Sequence, residues 1–256
     1  MSDPASLSYL TLFLIFTVTF LTKTYGVIIG GASFLLQPFL LAMGIPPHIA
    51  IAHDIAGTNG SNISGIYVFN KTGHLRYDIA LYAMPGFITG PLLGVYLLDI
   101  TPPEILEIFI ATVSIVGAFY LIIKRNNSTG LFERPKPKNW RVLTILYGFI
   151  FGAYLGFSGA GAGIVVTLFY ISTLGMTMTQ AIATKRLMHG VPFLIAATGY
   201  LWQGWLQLDL FLTVFAGCLA AGYAGSHITL KVNNKILRLF FLVSAILMAG
   251  FIIVRR

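Results

Sequence analysis

Apolar stretches long enough to cross a lipid bilayer follow one another along almost the whole chain. A helix needs roughly 17–25 mostly apolar residues to cross about 30 Å of hydrocarbon, and only short polar segments separate such stretches here. Because 57% of the 256 residues are hydrophobic and only 9% are charged, no part of the chain is left for a soluble domain. The sequence therefore predicts one all-α polytopic membrane domain.

The excess of positive charge, +8 in formal terms, does not indicate a nucleic-acid partner. The Lys and Arg residues lie in short loops beside apolar runs, as they do in the cytoplasmic loops of membrane proteins. The first apolar run is followed rather than preceded by a cation, Lys23, so we interpret it as a membrane segment and not as a cleaved signal peptide. A single cysteine, Cys218, excludes an intrachain disulfide and a cysteine metal cluster. We expect neither a metal nor a cofactor.

An internal repeat becomes visible when the chain is aligned with itself at an offset of 131 residues. Without any gap, this offset pairs Gly30 with Gly161, Gly44 with Gly175, Gly73 with Gly204, Asp78 with Asp209, Gly86 with Gly217 and Gly94 with Gly225. We interpret the pattern as a duplication. The first transmembrane repeat covers residues 1–124, a basic linker covers 125–139, and the second repeat covers 140–256.

Each repeat is predicted to open with a glycine-broken stretch and to continue with three transmembrane helices. The opening stretches cover about 7–44 and 140–175, with breaks at 26–33 and 156–163. The run after the first break is about 18 Å long as a helix, too short to span a bilayer, so a hairpin or half-helices lining a cavity are expected. A kinked helix at a packing contact is the alternative. The further helices are predicted at 46–70, 77–99, 103–124, 177–202, 208–228 and 232–254.

The cations in equivalent loops indicate how the repeats are oriented. The loop at 70–78 is basic and its partner at 201–209 has no cation, whereas the loop at 99–104 has none and its partner at 230–235 is basic. Because short basic loops stay in the cytoplasm, equivalent loops face opposite sides. Inverted-topology repeats of this kind are typical of secondary transporters. We therefore place the chain in the cytoplasmic (inner) membrane with the linker at 125–139 in the cytoplasm.

Two adjacent cations, Lys185 and Arg186, lie inside an apolar run. A charge at the bilayer centre costs at least about 2.5–3.5 kcal/mol, so it normally faces a cavity or a partner. These cations indicate an anion site, with snorkelling to the interface as the alternative. The 131-residue offset pairs Lys185 with Asp54 and Thr184 with His53, so we expect Asp54 and Lys185 to approach a common axis. An ion pair between them is the purely structural alternative.

Further groups suited to an anion lie near these residues. His189 follows Lys185 by one helical turn, and the helices after the two breaks begin near Ser33 and Gly161. Free N–H groups at helix N-termini favour anions.

The two segments "GGASFLLQPFLLAMGIPPHIAIAHD" (30–54) and "GAGAGIVVTLFYISTLGMTMTQAIATK" (159–185) resemble the TauE/SafE family of sulfite and organosulfonate exporters, also called TSUP transporters. The resemblance implies a secondary transporter for a small sulfur-containing oxyanion, such as sulfite, sulfoacetate or another organosulfonate, with a site at the repeat interface. The residues predicted to bind this substrate are Lys185, Arg186, Thr184, Ser33, Ser158, Gly161 and Asn59. Those predicted to couple protons or gate are Asp54, His53 and His189, since histidine titrates near neutral pH.

Other classes of protein fit the sequence less well. An enzyme is disfavoured because His53 and Asp54 are adjacent and point about 100° apart on a helix, and because no HExxH or GxSxG motif is present. A structural scaffold needs no broken helices. A transporter or channel for a cation or a neutral metabolite, with Asp54 as the ion site beside Asn59 and Asn62, is the main alternative. The expected partners are a small anion, coupled protons and the lipid bilayer.

Overall fold

The structure is a computed structural model that describes residues 8–29, 33–110, 112, 138–160 and 162–231. These residues form eight labelled helices and no strand. The helices are α1 (Tyr9–Ile29), α2 (Ser33–Ala42), α3 (Pro47–Asn70), α4 (Tyr77–Asp99), α5 (Trp140–Phe157), α6 (Ala162–Ser172), α7 (Met178–Trp202) and α8 (Leu208–Lys231). Residues 103–110 are also helical. The predicted helix at 232–254, the rest of the predicted helix at 103–124 except residue 112, and the predicted linker except residues 138 and 139 lie outside the described residues.

Four of the helices, α1, α4, α5 and α8, are long and apolar enough to cross a membrane. Helices α3 and α7 have 24 and 25 residues, which makes each about 36 Å long, and they carry many of the buried polar side chains. This arrangement confirms an all-helical polytopic membrane protein.

Each predicted glycine-rich break separates a long helix from a short one. Helix α1 ends at Ile29 and α2 begins at Ser33, while α5 ends at Phe157 and α6 begins at Ala162. The short helices have 10 and 11 residues, or about 15 Å, which is half of a bilayer's hydrocarbon thickness. The starts of α2 and α6 lie within the protein's interior, since Ser33 accepts from the buried Lys23 and Ala162 is buried.

The helix bounds follow the 131-residue offset of the sequence. The first residues of α1 and α5, of α3 and α7, and of α4 and α8 are each 131 positions apart. The tight turns before and after α3 and α7 follow the same offset. Gly44 and Gly175 have φ of 82° and 68°, and Gly73 and Gly204 have φ of 69° and 72°, a left-handed conformation that glycine adopts without steric cost.

The opening helix of each half packs against the third long helix of the other half. Helix α4 lies along α5, and α8 lies along α1. In the first seam Gly86, Gly90 and Gly94 face the backbone of α5 around Gly148, Gly152 and Gly156, the close approach that small residues allow in membranes. Helices α3 and α7 contact each other between these two pairs, so the polar site lies in the centre of the helix bundle.

Candidate functional site

A cavity lies between α3 and α7, bounded also by α1 and by the two breaks. Its water-accessible volume is about 50 Å³, whereas one water needs roughly 10–15 Å³, so it accommodates several waters or an ion of a few heavy atoms. The residues that line it are Lys23, Gly26, Val27, Ser33, Thr58, Ser61, Asn62, Leu155, Gly159, Gly163, Lys185, Arg186, His189 and Phe193.

Lys23 is a cavity residue that the sequence analysis did not identify. It lies inside α1 rather than after it, because the helix continues to Ile29. Its ammonium forms an ion pair with Asp54 and donates to Thr58 Oγ1 at 2.8 Å and to Ser33 Oγ at 3.2 Å. An ammonium has three N–H donors, and these three contacts use all of them.

Asp54 lies behind Lys23 and is fully buried. Its second carboxylate oxygen accepts from Gln37 Nε2 at 2.9 Å, and the same nitrogen donates to the Ser158 carbonyl at 2.6 Å. The Ser158 hydroxyl donates to Gln37 Oε1 at 3.3 Å. Asp54 therefore joins α1, α2 and the second break, and the predicted approach of Asp54 to Lys185 is replaced by its pair with Lys23.

Arg186 and Lys185 reach the cavity from α7. The side chains are only 4% and 5% exposed, so neither extends to an aqueous interface and the snorkelling alternative does not apply. Arg186 Nη1 donates to the Ser61 carbonyl at 2.9 Å, and Lys185 Nζ lies 3.4 Å from the Gly163 carbonyl. The guanidinium passes directly over Gly65, where a Cβ would lie 2.6 Å from Arg186 Cδ.

Three buried nitrogen atoms on the cavity wall have no hydrogen-bond partner among the described residues. These atoms are Arg186 Nε, Asn62 Nδ2 and His189 Nε2. The His189 ring is held between two phenyl rings, 6.0 Å from Phe87 and 5.5 Å from Phe193 by centroid distance. Because a buried polar group without a partner costs about 1–3 kcal/mol, these nitrogens indicate a place for a ligand or ordered water.

Three further predicted residues, Thr184, Asn59 and His53, do not line the cavity. Thr184 Oγ1 accepts from the Arg76 N–H at 3.0 Å, and Asn59 Nδ2 donates to the Ala56 carbonyl at 3.1 Å within α3. His53 accepts from the Gln207 N–H at 3.0 Å and contacts the Ile49 carbonyl at 2.8 Å. Gly161 lies outside the described residues.

The structure thus brings together Lys185, Arg186, Ser33 and His189 with the polar residues Thr58, Ser61 and Asn62 of α3, and it adds Lys23. No cluster of three or more His, Cys, Asp or Glu side chains suited to a metal occurs in the part of the chain that the structure describes. The polar side chains of the site are three cations, three hydroxyl groups, one amide and one imidazole.

Proteins similar in sequence to this chain are described as probable membrane transporters. "Probable membrane transporter protein YjnA" of Bacillus subtilis (strain 168) is 25% identical over 238 residues, which cover 87% of this chain and 91% of the relative. "Probable membrane transporter protein YfcA" of Escherichia coli (strain K12) is 24% identical over 245 residues, covering 94% and 90%. A "Probable membrane transporter protein" of Haemophilus influenzae is 21% identical over 239 residues, covering 93% and 92%.

No solved structure matches the chain. The family model described as "Sulfite exporter TauE/SafE" matches residues 15–252, which include every residue that lines the cavity. The chain is a multi-pass membrane protein and belongs to the TauE/SafE transporter family.

Proposed function

We propose that the protein is a secondary transporter that moves a small sulfur-containing oxyanion across the cytoplasmic membrane through the cavity between α3 and α7. Sulfite, sulfoacetate and other organosulfonates are the candidate substrates. In this proposal the two repeats have opposite orientations in the membrane, and the linker at 125–139 lies in the cytoplasm.

The observation that carries the proposal is the balance of buried charge around the cavity. Three cations, Lys23, Lys185 and Arg186, are buried there. Asp54 is the one buried carboxylate among the described acidic residues, and the others are exposed. Three buried cations therefore stand against one buried carboxylate among the described residues, and an anion in the cavity would balance the excess positive charge.

The hydrogen-bonding groups of the cavity fit a small oxyanion. Arg186 and Asn62 offer donors without partners in the described residues, and an arginine fork suits planar or tetrahedral oxygen groups. The starts of α2 and α6 reach the wall through Ser33 and Gly163, where helix N-termini favour negative charge. The volume suits an anion with a single sulfur head better than a bulky metabolite.

The packing of the two halves supports transport by alternating access. Helices α4 and α5 form one tight pair and α1 and α8 another, and the cavity lies at the pseudo-symmetric contact of α3 and α7 between them. Transporters with inverted repeats bind substrate at such a contact and expose it by rocking one bundle against the other. Within this scheme Asp54, His53 and His189 remain the candidates for proton coupling.

A cation site at Asp54 is less well supported. Both carboxylate oxygens are engaged, by Lys23 and by Gln37, and Asn59 is bonded within its own helix. A metal ion or Na⁺ at Asp54 would have to displace a buried ammonium and would face the positive charges of Lys185 and Arg186.

The first experiment is thermal stabilisation of the purified protein by sulfite, sulfoacetate, taurine, sulfate, phosphate, acetate and NaCl. A ligand that binds only the folded state stabilises it by about 2.7 kcal/mol at a hundred times its dissociation constant. We expect a sulfur oxyanion to raise the melting temperature of the wild type. Lys185→Gln and Arg186→Gln should abolish that rise.

The matched control is Lys71→Gln, which changes an exposed lysine that contacts Tyr67 and should leave the ligand effect intact. A rise that Lys185→Gln and Arg186→Gln both retain would contradict an anion site in this cavity. Stabilisation by Na⁺ instead of any anion would favour the cation alternative.

A further inference from the structure

Lys23 is a cavity cation that forms an ion pair with a carboxylate of the protein, Asp54. Its ammonium lines the cavity, while Asp54 does not line it and is fully buried. The Lys23 ammonium therefore lies between the cavity and the Asp54 carboxylate. An anion bound in the cavity and Asp54 would both interact with this ammonium, from opposite sides.

The two repeats differ at this point. Asp54 of α3 corresponds to Lys185 of α7, and Lys23 of α1 corresponds to Tyr154 of α5, by the 131-residue offset. In the first repeat, Lys23 forms a pair with Asp54. In the second repeat, a cation, Lys185, occupies the position that corresponds to Asp54. The negative charge of Asp54 is the feature that offsets the positive cavity.

We propose that Lys23 is a third anion-binding residue and that the charge of Asp54 controls its availability, so that the anion binds together with a proton. This inference rests on the proposed anion transport and names its coupling ion. When Asp54 is a carboxylate, it competes with the substrate for Lys23. When Asp54 takes a proton from water, its negative charge no longer competes with the substrate for the ammonium. By thermodynamic linkage, tighter anion binding at lower pH means that binding the anion takes up a proton.

The other groups near Asp54 do not replace it in this role. Lys23 faces it from α1 and the neutral Gln37 from α2. Tyr200 of α7 and Cys218 of α8 lie within electrostatic range, and the Tyr200 hydroxyl donates to the Gly156 carbonyl. His189 also lines the cavity, so the experiment must separate its titration from that of Asp54.

The test is calorimetric titration of the full-length protein with sulfoacetate, whose charge does not change between pH 6 and pH 8. The variants are Asp54→Asn, Lys23→Gln, the double variant and His189→Asn. Asp209→Asn is the matched control, because Asp209 is an exposed aspartate in the first turn of α8.

We expect the wild type to bind more tightly at pH 6 than at pH 8. Asp54→Asn should bind about tenfold more tightly than the wild type at pH 8 and should lose most of the pH dependence. Adding Lys23→Gln should remove this gain, because the cation that Asp54 had offset is then absent. Asp209→Asn should behave as the wild type, and His189→Asn should keep the pH dependence.

An unchanged affinity in Asp54→Asn at pH 8, or a pH dependence that disappears in His189→Asn instead, would overturn the inference. A double variant that binds as tightly as Asp54→Asn would also overturn it, because Lys23 would then make no contribution. If Asp54→Asn does not fold, His189→Asn titrated in two buffers of different ionisation enthalpy decides the question, because His189 can then take up no proton. Uptake of protons on binding supports the inference, and its absence overturns it.

These outcomes are separable from the fate of the proposed function. Sulfoacetate binding that depends on Lys185 and Arg186 but not on Lys23 or Asp54 leaves the anion site in place and removes only the coupling. Binding by neither the wild type nor Asp54→Asn, for every anion of the panel above, overturns the proposed function itself.

Discussion

Gly65 on α3 provides the space in which the Arg186 side chain crosses to the cavity. A Cβ at position 65 would lie 2.6 Å from Arg186 Cδ and 2.9 Å from Nε, so Gly65→Ala must shift the guanidinium away from the Ser61 carbonyl. We expect the affinity for the anion to fall about tenfold, or about 1.4 kcal/mol. Calorimetric titration with the anion found by thermal stabilisation measures the change.

Gly190→Ala is the matched control for this variant. Gly190 lies on α7, and no atom lies within 4 Å of the position of its Cβ. The same substitution there should leave the affinity unchanged and add up to about 1 kcal/mol of helix stability. Equal affinities of Gly65→Ala and the wild type would show that the position of Arg186 does not determine binding.

His53 holds α3 to the turn before α8. One ring nitrogen accepts from the Gln207 N–H and the other contacts the Ile49 carbonyl, an arrangement that the neutral ring satisfies. We expect His53→Ala to lower the free energy of unfolding by about 1–3 kcal/mol with little change in anion affinity. Chemical denaturation and titration of the same samples measure both quantities, and a stable variant with a lost pH dependence would instead assign proton coupling to His53.

Sequence reasoning could identify the second-repeat half of the site but not its first-repeat cation. Lys185 and Arg186 were visible because they interrupt an apolar run, and His189 because it follows by one turn. Lys23 follows the first apolar run of the sequence, where a flanking interfacial lysine is common. Only the packing of α1 against the centre of the bundle distinguishes a buried lysine from a flanking one.

At the scale of helices, the observed bounds lie close to the predicted ones. The sequence predicted helices at 46–70, 77–99, 177–202 and 208–228, and α3, α4, α7 and α8 occupy 47–70, 77–99, 178–202 and 208–231. Left-handed glycines and a Thr177 capping box at the start of α7 mark these ends strongly in the sequence. Which helices pack together was not predictable, because one seam joins residues about 60 positions apart and the other joins residues about 200 positions apart.

The close packing of α4 against α5 requires glycine, which has no side chain, at the contact positions. A Cβ at Gly90 would collide with the Phe149 carbonyl oxygen and lie 2.7 Å from the Ala153 nitrogen, and backbone atoms of a packed helix cannot move aside easily. We expect Gly90→Ala to cost about 1–3 kcal/mol of stability. Thermal unfolding in detergent, compared with Gly190→Ala, measures this cost.

The equivalent seam between α1 and α8 gives a graded comparison. A Cβ at Gly217 would lie 3.1 Å from its nearest neighbours, the Phe16 carbonyl oxygen and the Thr19 side chain, so Gly217→Ala should be milder than Gly90→Ala. A Gly90→Ala protein that unfolds at the temperature of the wild type would show that α4 and α5 separate at little cost.

At the scale of the whole molecule, the arrangement of helices has an approximate two-fold character. The pairs α4–α5 and α8–α1 exchange under the 131-residue offset, and α3 and α7 meet each other. The distribution of cations in the loops indicates on which side of the membrane each loop lies. If equivalent loops face opposite sides of the membrane, the symmetry axis lies in the membrane plane, and the central cavity can open to either side.

The orientation of the loops can be tested with single cysteines. Cys218 is buried, so a Cys218→Ala background offers no native thiol. Thr72 and Gln203 are exposed, 131 positions apart, in equivalent turns after α3 and α7. Because the turn at Thr72 is basic and the turn at Gln203 has no cation, we expect Thr72→Cys to face the cytoplasm and Gln203→Cys to face the outside. A membrane-impermeant maleimide should label Gln203→Cys in intact cells and Thr72→Cys only in inside-out vesicles. Labelling of both from one side would mean that the two repeats have the same orientation. Access to the cavity would then have to alternate by another route.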